Sequence, residues 1–108
     1  MDKIKIEDFQ KIDLRTAKIK AVHPHPKNNK IIVLILDTGE EEKQVLAGMK
    51  QWYSEEDLIG KTVVYVANLE PKIISGLESN GMILAADAEE KPLLLTIKEE
   101  VKPNTKIR

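Results

Sequence analysis

The chain has 108 residues, a length that suits one domain built on one core. Its formal net charge is −1, which excludes a globally basic nucleic-acid binder. It has no cysteine, which excludes a disulfide framework, a cysteine-type zinc site and a cysteine nucleophile.

The start, MDKIKIEDFQ, carries charges throughout and lacks an apolar h-region, so no signal peptide is read there. Apolar runs such as Ile31 to Leu36 are too short to span a bilayer. The expectation is a soluble, cytoplasmic domain with no membrane contact. Residues 1–108 are read as a single domain, without repeat or linker.

Taken in order, residues 5–12 suit a short helix. Residues 14–23 alternate, with Ala17, Ile19 and Ala21 on one face and Lys18 and Lys20 on the other, as in a strand. His23-Pro24-His25-Pro26 ends that strand, because proline has no N–H to give a ladder. Ile31 to Leu36 reads as a central strand covered on both faces. Asp37-Thr38-Gly39 is a turn, and Gln44 to Met49 a third strand.

Ser54-Glu55-Glu56-Asp57 looks like a helix start, with Ser54 as cap and acids at the positive end of the helix dipole. Gly60 stops that helix, and Trp52 and Tyr53 are assigned to the core above it. Thr62 to Ala67 is a fourth strand. Asn80-Gly81 reads as a hairpin turn, followed by Met82 to Ala86 as a fifth strand. Leu93 to Ile97 and Thr105 to Ile107 are late strand candidates. This all-β order is compatible with a five-stranded Greek-key barrel, the OB-fold, with a short helix between strands 3 and 4 and a C-terminal extension. An SH3-like barrel or a small sandwich would give a similar order.

No catalytic constellation is visible, so the chain is not read as an enzyme. The only histidines are His23 and His25, and a metal site would need further ligands. No metal or cofactor is expected. Ser75 and Ser79 lie in no nucleophile-elbow pattern. Charge is unevenly spread: from Leu14 to Leu36 stand Arg15, Lys18, Lys20, Lys27 and Lys30 with no acid. Such a local basic face suits an anionic partner, although lysines also simply solvate a strand. The aromatics are Phe9, Trp52, Tyr53 and Tyr65, of which only Tyr65 falls on a strand. That argues against a stacked single-strand channel and leaves a folded RNA held through its phosphates and one or two bases. In the 66–86 stretch, Gly76 and Gly81 supply backbone freedom, and Met82 suits either a base face or the core.

Several segments together resemble the tRNA-binding domain family. They are Asp8-Phe9, Asp13-Leu14-Arg15, His25-Pro26 with Lys30, Asp37-x-Gly39, Gln44-Val45-Leu46-Ala47-Gly48, Gly60-Lys61, Val66-Ala67-Asn68-Leu69-x-Pro71-Lys72, Gly76, Ser79-x-Gly81-Met82 and Leu84-Ala85-Ala86. Members are appended to methionyl-tRNA synthetases, attached to cofactors of synthetase complexes, or free-standing. The resemblance implies an OB-type barrel that binds tRNA by shape at the outer corner of the L, whatever the anticodon. It also implies a homodimer and, as a partner, methionyl-tRNA synthetase.

By the same resemblance Lys30 contacts phosphate, Asn68 and Ser79 offer hydrogen bonds, Gly81 permits close approach and Met82 an apolar face. Lys18, Lys20, Lys43 and Lys72 complete the expected RNA-binding set. The chain departs from the family pattern at Ala17, Asn28-Asn29, Lys43 and Ile73-Ile74. About five phosphate contacts imply a log–log salt slope of about −3.5 to −4.5. The start at Met1 with no preceding linker favours a separate polypeptide, and a domain excised from a synthetase would read the same. A related branch of secretion chaperones supplies the alternative, a peptide-binding protein, to which Ile73-Ile74 lends some support.

Overall fold

The computed structural model describes residues 1–108. In chain order its elements are α1 (Ile6–Phe9), β1 (Leu14–Pro24), β2 (Ile32–Asp37), β3 (Glu42–Ala47), α2 (Glu55–Leu58), β4 (Thr62–Val66), β5 (Lys72–Ile74), β6 (Leu77–Ser79), β7 (Met82–Ile83), β8 (Ala85–Asp87) and β9 (Pro92–Leu94). The main sheet is antiparallel in the order β3-β2-β1-β4-β7. Its two outer strands curl toward each other. There the Asn80 N–H donates to the Gln44 carbonyl at 2.8 Å, and the Leu46 N–H donates to Ser79 Oγ at 3.0 Å. This is the Greek-key barrel of the OB-fold, with the helix between the third and fourth strands where the sequence puts it.

The barrel forms because alternate residues of each strand are apolar. Ala17, Ile19, Leu34, Leu36, Val45 and Val63 meet inside it, each 0–1 % exposed. Burying one such aliphatic side chain contributes about 1.5–3 kcal/mol for the larger residues. α2 covers the barrel with Leu58, which is fully buried. A reciprocal cap starts this helix: the Asp57 N–H donates to Ser54 Oγ, and the Ser54 N–H donates to Asp57 Oδ2. Gly60, at φ +83°, ends it.

Five sequence expectations change. The β1 alternation breaks at a bulge between Ile19 and Ala21, so Val22 is buried in place of Ala21; an extra residue flips the parity of all that follow. The hairpin turn is not Asn80-Gly81 but Ser75-Gly76, between β5 and β6, with φ of 50° and 89°. Positive φ at both central residues suits the right-handed strand twist. The fifth strand is split: the Leu84 N–H still donates to Val64, but from Ala85 onward the chain pairs with β9. Thr105 to Ile107 is no strand; it lies along the free edge of β1 through the single bridge Arg15–Lys106. Trp52 is 37 % exposed, not core. Its Nε1–H donates to the Glu90 carbonyl, and the Tyr53 hydroxyl donates to that of Pro92, so the pair clamps the β8–β9 turn.

Candidate nucleic-acid interface

OB-folds contact oligonucleotides with the face of strands 2 and 3 and with the loops after strand 1 and before the last barrel strand. Here those loops are residues 25–31 and the excursion 67–81, which carries β5 and β6. They meet. The His25 Nε2–H donates to the Ile74 carbonyl at 3.1 Å, and Asn28 Nδ2 donates to Ser75 Oγ at 3.3 Å.

The 25–31 loop is built by side chains that mimic turns. His25 Nδ1 accepts the Lys27 N–H and Asn28 Oδ1 the Lys30 N–H, both at 3.0 Å. The Lys50 N–H reaches the Lys30 carbonyl at 3.4 Å. The result is an open concavity lined by His25, Pro26, Lys27, Asn28, Asn29, Lys30 and Lys50. No carboxylate lines it, and Lys27, Lys30 and Lys50 make no ion pair.

The sequence-derived residues separate into distinct groups. Lys30 borders the concavity, Lys72 is exposed at the base of the hairpin, and Met82 is 48 % exposed on the last barrel strand. Lys18 is exposed toward the far end of β1, beside Gly60, Thr62 and Glu100. Lys20 is bonded to Glu42, whose hydrogen bond and charge hold the ammonium above its ordinary range. Lys43 shares the inward parity of Val45 and Ala47. Its Nζ lies 3.4 Å from the Ala67 carbonyl and 5.7 Å from the Tyr65 ring centroid. Tyr65 is itself buried, and burial, then Asp13, pushes its phenol above the ordinary value.

Asn68 is held by the chain itself: its Oδ1 accepts the Asp13 N–H and its Nδ2 donates to the Lys11 carbonyl. Ser79 is 5 % exposed, accepting from Leu46 and donating to the Gly81 carbonyl. Gly81 sits at φ +132°, where a Cβ would lie 2.9 Å from the Val66 oxygen. These last three residues shape the face. The Asn68 amide and the Ser79 hydroxyl are each bonded within the chain.

Lys27 and Lys50 stand outside the set of residues expected from the sequence. Lys27 was visible in the charge count alone. Lys50 gave no signal, because only the β2–β3 register brings the end of β3 to this loop.

The chain is thus a small barrel of the OB class whose loop junction carries three lysines without an ion pair. The model of the tRNA binding domain matches residues 14–106, and the chain belongs to that family. It is 49% identical over 105 residues to the methionine–tRNA ligase of Thermococcus onnurineus, covering 97% of this chain and 14% of that protein. The chain thus spans about a seventh of the length of such relatives. Among solved structures, a MetRS-related protein from Pyrococcus horikoshii superposes with a TM-score of 0.93 at 32% identity, covering all of both chains. The chaperone CsaA of Bacillus anthracis gives a TM-score of 0.88, also at 32% identity, covering 99% of this chain and 100% of that one. No helix of the chain is long and apolar enough to cross a membrane.

Proposed function

We propose that the chain is a non-catalytic module that binds folded tRNA at its outer corner, irrespective of anticodon. The observation that carries this reading is the concavity of Lys27, Lys30 and Lys50 beside the 67–81 excursion, with no carboxylate among its lining residues. Lys72 extends the positive charge and Met82 offers an apolar surface to an unstacked base. Ser79, Gly81 and Asn68 set the shape of the wall from which Met82 projects. Lys18 gives an outlying phosphate contact, whereas Lys20 and Lys43 contribute less because each is engaged within the chain.

No aromatic lines the concavity: Tyr65 is buried, and Trp52 clamps the β8–β9 turn. Binding therefore rests on phosphate geometry and shape, which favours folded RNA over a stacked single strand. Methionyl-tRNA synthetase is the proposed functional partner, and the cytoplasm the proposed location.

The module acts as a homodimer in this reading. α1 buries none of its residues; Ile4, Ile6, Phe9 and Ile12 are 38–68 % exposed. Ile6, Phe9 and Ile12 border a groove with Ile107. A contiguous apolar surface of this kind suits a protein contact.

A second reading, peptide binding, is favoured by Ile73, 64 % exposed on the hairpin, and by the likeness to CsaA. Fluorescence titration with folded tRNA, with an unstructured RNA of equal length and with an unfolded peptide, each at two salt concentrations, separates the two. Steeply salt-dependent binding to folded tRNA alone is expected. Equal affinity for both RNAs, or none, would reject the tRNA module, and salt-insensitive capture of unfolded peptides would select the other reading.

A further inference from the structure

His25 is the one buried titratable side chain in the candidate face, only 4 % exposed although it sits in a loop between two exposed prolines. Its two nitrogens do different work. Nδ1 faces an amide N–H, which only donates; Nε2 faces a carbonyl, which only accepts. The neutral ring with its proton on Nε2 satisfies both. One ring thereby spans two segments 49 positions apart in the chain.

The hairpin needs such a tie. Each of its strands has three residues, too few for stability alone. Its β6 end is fixed to β3, where Gln44 Nε2 donates to the Glu78 carbonyl and Ser79 accepts from Leu46. Its tip is fixed to the 25–31 loop by the His25–Ile74 bond and by the more exposed Asn28–Ser75 contact.

We infer that His25 is a positioning residue: its Nε2–H bond to Ile74 fixes the spacing between the Lys27–Lys30–Lys50 concavity and the hairpin that leads from Lys72 to Met82. The inference rests on the tRNA-binding reading of this face. Both halves of the site are then presented together, and little loop ordering remains to be done on binding.

Two near-isosteres divide the ring's functions. In His25→Asn, Oδ1 replaces Nδ1 and accepts the Lys27 N–H, as Asn28 does for Lys30, but nothing reaches Ile74. In His25→Gln, Nε2 reaches the Ile74 carbonyl and the Lys27 acceptor is lost. Both variants and the wild type are compared by tRNA titration, by amide exchange of residues 72–79 and by thermal unfolding. The glutamine variant is expected to keep slow exchange and affinity within about twofold of wild type. The asparagine variant is expected to exchange faster across 72–79 and to lose about three- to tenfold in affinity, the value of one hydrogen bond.

Affinity that follows only thermal stability in both variants overturns the inference, as does an asparagine variant that binds like wild type. Wild type that fails to bind tRNA rejects the RNA reading instead. The latch is then decided by exchange alone, and unchanged protection in His25→Asn overturns it.

Discussion

The Ser79 hydroxyl accepts the Leu46 amide at 3.0 Å and donates to the Gly81 carbonyl at 3.1 Å, so one buried side chain joins β3 to the turn that starts the last barrel strand. A backbone ladder does this work elsewhere in the barrel. Ser79→Ala leaves the Leu46 N–H unpaired in a buried setting, at a cost of about 1–3 kcal/mol. Urea unfolding checks this; an unchanged midpoint would show that water replaces the hydroxyl.

Gly81 and Gly48 offer a matched pair. A Cβ at Gly81 would lie 2.9 Å from the Val66 oxygen, on a backbone at φ +132°, whereas one at Gly48 meets nothing within 4 Å and that backbone is not at positive φ. Gly81→Ala is expected to lose about 1–3 kcal/mol through strain. Gly48→Ala is expected to be neutral or to gain up to about 1 kcal/mol, because it restricts the unfolded chain. Denaturant titration of both variants reads the contrast.

The lysines differ in what they have free to offer. Lys27, Lys30 and Lys50 carry no ion pair, while Lys20 is bonded to Glu42. Alanine at any of the first three is expected to weaken tRNA binding and to flatten the log–log salt slope by about 0.7–0.9 each. Lys20→Ala is expected to change the slope far less. Titrations over a salt series test this, and an equal effect at Lys20 would mean that RNA displaces Glu42.

The exposed face of α1 makes the dimer testable. Phe9 is 38 % exposed and borders the groove with Ile107. Phe9→Glu is expected to convert a dimer to a monomer in sedimentation equilibrium, with the barrel's far-ultraviolet spectrum retained. A wild type that sediments as a monomer at all concentrations would reject the dimer.

Acid sensitivity is expected at α2. The Ser54 amide, then the Ser54 hydroxyl, hold the Asp57 carboxyl below its ordinary range. A carboxyl lowered by folding stabilises the protein above its unfolded pKa, and that contribution is lost as the pH falls through the folded value. The gap in melting temperature between wild type and Asp57→Asn is therefore expected to be full at neutral pH and to close below about pH 4. A gap independent of pH would mean that the cap's geometry matters and its charge does not.

What the sequence determined by itself is local. Alternation in 14–19, the apolar run from Ile31, the Ser54–Asp57 cap and the Gly60 stop each act within one element, so residue types alone reveal strands, helix and barrel class. Tertiary structure decided which side chains stay free at the surface. The β1 bulge, the Ser75-Gly76 turn and the closure of β3 onto Ser79 are settled by contacts between residues far apart in the chain. Those contacts buried Ser79, bonded the exposed Asn68 amide to the Asp13 and Lys11 backbone, folded Lys43 over Tyr65, paired Lys20 with Glu42, and brought Lys50 beside Lys30. A polar side chain offers a partner only the donors and acceptors that the fold leaves free. Hydrogen-bond satisfaction depends on the whole barrel, and no short stretch of sequence carries it.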